Sequence, residues 1–281
     1  MLKLHKVSRE FGSTLALRDI SFDVPNGQFV VVIGRSGAGK STLLRTINRL
    51  VQPSAGDISF DGSSVLNLRG DDLRRWRASA AMIFQGFNLS SRLSVLSNVL
   101  VGSSNETSQM RRLVGFYTRD EKLRAAALLD DLGMLEKAFQ RAESLSGGQQ
   151  QRVAIARALM QKPKIILADE PIASLDPLSA KVVMDTLRDI NRKHGISVLC
   201  NLHSIDTARE YGDRVIALRA GELVLDAPIS ALDDTAVRGV YENAEEHPAC
   251  GKVTSFCAPI TEFVTTVSST DTNTRKQEQV A

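Results

Sequence analysis

At 281 residues, 43% hydrophobic and 24% charged, the chain can bury one large core or two smaller ones. A net charge of +3, with Arg69, Arg74, Arg75 and Arg77 interrupted by Asp71 and Asp72, excludes the concentrated basic footprint of a dedicated nucleic-acid binder. No apolar run approaches the ~18 residues of a transmembrane helix, and the N-terminal MLKLHKVSREF lacks a signal-peptide core, so neither a membrane-embedded nor a secreted chain is expected.

In chain order, the first clear element is the β-branched run Phe29–Ile33, a buried-strand signal that ends at a glycine. A helix is predicted over Lys40–Val51, with Leu43, Leu44, Ile47, Leu50 and Val51 on one face, and Pro53 to Gly56 closes that unit. Short strands around Asp57–Phe60 and Ala80–Phe84 flank a polar segment with a helical stretch at Leu73–Arg77. From Phe87 to Arg141 strand signals fade, and Ser94–Leu100 and Glu121–Leu132 carry helical spacing. A helix follows at Gln149–Met160, then a strand at Lys164–Ala168, a helix at Leu178–His194 and a strand at Ile196–Leu202. RVIAL and ELVLD, joined through Ala220 and Gly221, read as a hairpin. Beyond about Ala227 the pattern decays, and Thr261–Ala281, rich in Thr, Ser, Gln and charge, is expected to be disordered. Such alternation of strands and helices predicts a mostly parallel sheet covered by helices on both faces.

The chemistry is concentrated in short stretches. GRSGAGKST, Gly34 to Thr42, satisfies G-x-x-x-x-G-K-[ST] between a strand and a helix. Gly34, Gly37 and Gly39 permit a wrap of N–H groups around phosphates, Lys40 brings charge to the β- and γ-phosphates, and Ser41 offers a hydroxyl to Mg²⁺. IILADE sets Asp169 and Glu170 at the C-terminal end of a buried strand, the edge where parallel sheets bind ligands. Asp169 suits the Mg²⁺ shell, and Glu170 suits the water that attacks the γ-phosphorus. LSGGQQQR, from Leu145 to Arg152, is a second glycine-bearing loop whose Ser146, Gly147 and Gly148 open a helix N-terminus toward an anion. Gln85 follows a strand where its amide can reach a metal or its water, and His203 follows Ile196–Leu202 where it can donate to a γ-phosphate. Alone, Gln85 would read as an ordinary boundary glutamine and His203 as a satisfied surface histidine. His247, Cys250 and Cys257 match no familiar zinc spacing and read as unligated, with free thiols.

Together these stretches resemble the ATP-binding cassette (ABC) ATPases over about Met1 to Pro228. The resemblance implies an α/β P-loop NTPase of the ABC type, with a RecA-like core, an antiparallel β-subdomain and an inserted helical lobe at about 87–141. It implies an ATPase domain over 1–228 and leaves 229–281 as a C-terminal extension, expected to be partly disordered. ATP would be bound by Gly34, Arg35, Ser36, Gly37, Ala38, Gly39, Lys40, Ser41 and Thr42, with Mg²⁺ on Ser41, Gln85 and Asp169. Glu170, His203 and Gln85 would serve catalysis, while the signature residues Ser146, Gly147, Gly148 and Gln149 would cap ATP held by a second copy. Asp176, in SLDP, would reach across that dimer, and Phe11 stands where the family places an adenine-stacking aromatic, usually tyrosine.

The stretches FQGFNLSSRLSVLSNVLVG, ALMQKPKIILADEPIASLDP and MDTLRDIN, and the NLH-x-x-D run at Asn201–Asp206, are similar to ATP-binding subunits of phosphonate importers and of their phosphite and hypophosphite relatives. Gly86 departs from the usual second glutamine, and Ser204 from the glutamine that often follows the histidine. The implied partners are a second ATPase subunit, in a homodimer, transmembrane permease subunits, and a periplasmic or extracellular solute-binding protein, with no nucleic acid. The implied location is peripheral, on the cytoplasmic face of the cell's inner membrane. An ABC ATPase of nucleic acid or ribosomes fits less well, since only about a hundred residues separate Lys40 from Ser146 and none forms a sustained heptad. A P-loop kinase would have no use for LSGGQ.

Overall fold

A computed structural model describes residues 1–105 and 116–241. Eight helices and ten strands are named below. The strands are β1 (Leu2–Phe11), β2 (Thr14–Val24), β3 (Phe29–Ile33), β4 (Ala55–Phe60), β5 (Ser63–Ser64), β6 (Ala80–Ile83), β7 (Ile165–Asp169), β8 (Ser197–Asn201), β9 (Arg214–Arg219) and β10 (Glu222–Pro228). The helices are α1 (Lys40–Ile47), α2 (Gly70–Ser79), α3 (Val95–Leu100), α4 (Arg119–Asp131), α5 (Gly147–Leu159), α6 (Pro177–His194), α7 (Ile205–Tyr211) and α8 (Asp234–Tyr241).

The central sheet has the order β10-β9-β3-β8-β7-β6 and is parallel except for the β9–β10 hairpin. Its strands β3, β7 and β8 are buried on both faces, as their continuous apolar runs require. Alternate residues of β3 therefore serve two cores. Val30 and Val32 face Leu43, Leu44 and Ile47 of α1 together with a second, antiparallel sheet in the order β2-β1-β4-β5. Phe29, Val31 and Ile33 face a different set of helices, including Val95 and Val99 of α3, Ala125 and Leu129 of α4 and Leu187 of α6. The helical stretch inserted after β6 thus shares a core with the sheet.

The chain departs from the sequence expectations at three places. Helix α1 stops at Ile47 instead of continuing to Val51, because Arg49 turns into the left-handed region with φ 63. The N–H groups of Leu50 and Val51 both donate to Arg45 O, a helix-ending arrangement that leaves Leu50 half exposed. Next, β4 begins at Ala55, so Gly56 lies inside a strand instead of closing a turn. Finally, order continues past Pro228. Leu232 and Val240 are buried in the helical-side core, and α8 is held by Arg209, which donates to Leu232 O and pairs with Asp234. The rest of the extension, including Thr261–Ala281, His247, Cys250 and Cys257, lies outside the described residues.

Strands β1 and β2 are not among the elements expected from the sequence. Their alternation is broken by irregular pairing: the buried residues step from Leu2 and Leu4 to Val7, and from Leu17 to Ile20, Phe22 and Val24. Lys6 and Asp19, both with φ 46, sit at those breaks. Each bulge shifts the inward face by one residue, which defeats a period of two.

Candidate nucleotide site

The loop from Gly34 to Gly39 joins the C-terminal end of β3 to the N-terminus of α1, so its N–H groups and the positive end of a helix converge. Close packing sets its path. A Cβ on Gly34 would collide with the Leu218 carbonyl oxygen of β9, so only glycine lets the loop leave the sheet here. The β9–β10 turn supports the loop from behind, with Gly221 N–H donating to Ala38 O at 3.1 Å.

Lys40 is only 4% exposed. Its Nζ donates to Gly34 O at 2.8 Å and Arg35 O at 3.1 Å, curling the loop around the ammonium group. Burial lowers the lysine pKa, while the charges of Glu170 and Asp169 oppose that shift. Beneath it, Asp169 at the end of β7 is 2% exposed. Its Oδ1 accepts from Ser41 Oγ at 2.7 Å and from Asn201 Nδ2 at 2.8 Å, and Arg45 Nη2 lies 3.4 Å from Oδ2. Asn201 itself is fully buried, and its Oδ1 has no hydrogen-bond partner among the described residues.

Glu170, one residue beyond β7, adopts φ 51. This left-handed backbone costs a non-glycine residue about 1 kcal/mol or more and re-aims the side chain at a strand end. Its Oε1 lies 2.6 Å from His203 Nε2, so the two residues meet at the sheet edge from adjacent strands. Gln85 is exposed two residues past β6.

Ser36, Gly37, Gly39, Lys40, Ser41, Thr42 and Glu170 line one cleft. Thr14, Leu15, Ala16 and Ala220 line it too, and none was expected. Ordinary residues at the start of β2 carry no sequence signal for this, though the φ of 50 at Ala220 marks a tight turn. Ala38 is buried against the apolar core, and Arg35 and Phe11 are exposed and stand outside the lining. One face of the Phe11 ring is covered by the Arg9 guanidinium, 4.3 Å from its centroid.

The signature loop lines a different cleft, with no residue in common. Ser146, Gly148 and Gln149 share it with Arg152 and with Leu178, Ser179 and Val182 of α6. Ser146 is the N-cap of α5: its Oγ accepts from Gln149 N–H, and Gln149 Oε1 accepts from Ser146 N–H. That reciprocal capping box is visible as S-x-x-Q in the sequence. A Cβ on Gly148 would come within 2.7 Å of the Ser179 side chain, so the two helix starts pack at glycine distance. Gly147 approaches Leu175 and the ring of Phe87. Asp176 caps α6, accepting from Ser179 N–H at 3.0 Å, and hydrogen bonding from the Ser179 side chain first, then from its N–H, holds the Asp176 carboxyl below the usual range.

The structure therefore gathers Lys40, Ser41, Asp169, Glu170 and His203 at one sheet edge and leaves Ser146–Gln149 and Asp176 at another surface. Residues 17–173 match the ABC transporter family. The chain is 55% identical over 86% of its length to a phosphonates import ATP-binding protein of Rhizobium meliloti, of which it covers 86%. It is 54% identical over 85% of its length to the protein so named in Agrobacterium fabrum, covering 83% of it. Among solved structures it is similar to a dimeric, post-hydrolysis ATP-binding cassette bound to ADP and Pi, with TM-score 0.71 and 34% identity, over 82% of this chain and 99% of that one. It is also similar to cbiO1 of Clostridium perfringens, part of an ABC transporter complex, with TM-score 0.72 and 28% identity, over 85% of this chain and 93% of that one. Its phosphate loop, paired acidic residues at a strand end and signature helix thus have one common explanation: the chain belongs to the ABC transporter family, as an ATP-hydrolysing cassette coupled to transport.

Proposed function

We propose that this chain drives import of a phosphonate or a related reduced phosphorus oxyanion, phosphite or hypophosphite. It works as a head-to-tail homodimer on the cytoplasmic face of the inner membrane, under transmembrane permease subunits fed by a solute-binding protein. The observation that carries the paired arrangement is the separation of the two clefts. One chain holds a complete phosphate cradle, while its signature donors face a cleft that lacks one. The similarity to phosphonate import proteins supports the substrate class. Among the described residues no helix is long and apolar enough to cross a membrane, so the path for the solute would belong to other subunits.

ATP is the substrate, seated on Gly34–Thr42, with Phe11 against the adenine. The donor set also fits Mg²⁺. Ser41 and Asp169 present hard oxygens at hydrogen-bond distance, and Gln85 follows β6, the strand paired with β7. Among the described residues no three His, Cys, Asp or Glu side chains converge, which suits an ion held largely by substrate phosphates and water. When bound, Mg²⁺ neutralises charge on the β- and γ-phosphates. Asn201 and Arg45 hold the Asp169 carboxylate in place for that role.

Glu170 accepts a proton from the attacking water as the water oxygen bonds to the γ-phosphorus. The bond to the oxygen that departs with ADP then breaks. His203, kept beside Glu170, donates to the γ-phosphate oxygens, and Lys40 offsets the growing charge. The partner's signature loop, through its copies of Ser146 to Gln149, closes the other side of the phosphate, and Asp176 reaches across the same junction.

Two measurements test this proposal. Glu170→Gln binds ATP and elutes as a dimer only with ATP, and a monomer under those conditions would refute the pairing. Deleting the gene abolishes uptake of a labelled phosphonate, phosphite or hypophosphite by the host. Undiminished uptake of all three would remove the substrate assignment.

A further inference from the structure

Arg157 lies near the far end of α5, ten residues after Gly147, or about 15 Å along the helix. Its guanidinium reaches back toward the helix start and donates to two carbonyl oxygens, Asn88 O at 2.5 Å and Phe87 O at 2.8 Å. Those residues follow Gln85 and Gly86 directly. Both are left-handed, Phe87 with φ 55 and Asn88 with φ 51, a strained pair for a bulky aromatic and its neighbour. Asn88 N–H turns back to Gly86 O at 2.5 Å, and both carbonyls meet the arginine.

The other end of the segment is fastened as well. The Phe87 ring lies 3.6 Å from where a Cβ on Gly147 would stand, and Leu175, just before Asp176, lies 3.1 Å from the same point. Over the Arg157 backbone, Gly102 of the helical stretch approaches so closely that a Cβ there would collide with the Arg157 carbonyl oxygen. One short segment is thus pinned to α5 at two points, by the Phe87 ring at the signature end and by its carbonyls on the Arg157 guanidinium. A planar guanidinium can serve two adjacent carbonyls at once, whereas an ammonium is a point donor.

We infer that Arg157 is a positioning residue that locks the loop after Gln85 to the signature helix. Through it, Gln85 at the subunit's own ATP and Ser146–Gln149 at the partner's ATP move as one body. This rests on the paired-site reading above and adds the mechanical link between the two half-sites of one chain. A purely structural arginine would lower stability and leave the relation between the two loops unchanged. A positioning one makes its effect depend on Gln85.

The test is a double-mutant cycle on the full-length ATPase. Arg157→Met lowers kcat about 10-fold, the size of losing one charge-assisted hydrogen bond, while ATP affinity of the isolated subunit changes less than ~2-fold. Arg157→Lys recovers part of kcat by keeping one donor. In a Gln85→Ala background, Arg157→Met costs less than a further ~2-fold, because the link is already broken. Losses that multiply, or an unchanged kcat in the folded Met variant, would overturn the inference. If Arg157→Met does not fold, Arg157→Lys carries the same cycle. ATP-dependent dimerisation of Glu170→Gln is run alongside. Its absence refutes the paired site itself, whereas dimerisation with multiplying losses refutes the Arg157 link alone.

Discussion

The phosphate loop and the signature loop share a design, glycines feeding the N-terminus of a helix, yet their surroundings are opposite. Around the first, the central charges have partners inside the subunit: Lys40 and Asp169 are buried, Lys40 donates to Gly34 O, and Asp169 is bonded by Ser41 and Asn201. Around the second, Ser146 is exposed, its hydroxyl accepts from Gln149 N–H, and its neighbour Leu178 is 75% exposed. A buried charged cradle can be stable alone, because its cost of desolvation is met by internal hydrogen bonds. An exposed loop with free helix N–H groups and an apolar neighbour has something left to bind. The difference supports the proposal that one region holds its ligand and the other completes a ligand held elsewhere.

The comparison breaks most clearly at Glu170. Replacement by glutamine lowers kcat ~10²–10⁴-fold, the range for losing a general base, with ATP still bound. Full turnover by that variant in a steady-state phosphate-release assay would take Glu170 out of the mechanism. Ser146→Arg comes next, with hydrolysis down ~10²-fold, as for loss of a preorganised transition-state donor, and ATP binding to the monomer retained. Ser146→Ala separates chemistry from folding, since loss of the N-cap alone costs about 1 kcal/mol in a denaturant titration. Mixing Ser146→Arg chains with Lys40→Met chains restores part of the activity, because one composite site of the mixed dimer is intact. No recovery on mixing would count against the head-to-tail arrangement.

Asn201→Ala sharpens the contrast from the buried side. Removing its hydrogen bond to the Asp169 carboxylate weakens a charge-assisted contact of about 2 kcal/mol, read as a higher Mg²⁺ concentration for half-maximal hydrolysis. The smallest effect is expected far from the phosphates. Asp213 accepts from Arg188 at 2.6 Å and 3.0 Å and from Phe29 N–H at 2.8 Å, tying α6 to the start of β3. Burial pushes its pKa up, but the Arg188 and Phe29 hydrogen bonds outweigh that and leave it below 3.8. The folded-state pKa is thus the lower one, so this stabilisation is complete above the ordinary carboxylate range and is lost as pH falls through the folded value. Asp213→Asn lowers stability by roughly 1–2 kcal/mol at neutral pH and flattens the acid limb of the urea-midpoint profile.

Much of the site was legible because phosphate chemistry needs consecutive backbone amides beside fixed side chains. Gly34 to Thr42, Asp169–Glu170 and Ser146–Gln149 are short contiguous strings, so a linear reading finds them. The same reading located β3, β7, β8 and the β9–β10 hairpin, whose apolar runs are unbroken. It failed at β1 and β2, where bulges at Lys6 and Asp19 displace the inward face. At Leu50 and Val51 it failed because a single left-handed residue, Arg49, ended the helix while the apolar spacing ran on. Order at α8 was missed because its anchors, Arg209 and Arg219, come from distant elements.

By itself, then, the amino-acid sequence determined the α/β class, the P-loop chemistry and the ABC membership, since each depends on residues adjacent along the chain. Only the tertiary structure decided that Asn201 braces Asp169, that His203 meets Glu170, and that Arg157 pins the loop after Gln85. Those contacts join residues brought together by the parallel order of β3, β8 and β7 and by the packing of α5. Hydrogen bonds between such distant residues leave no periodic trace in the sequence, because their geometry exists only once the sheet has formed.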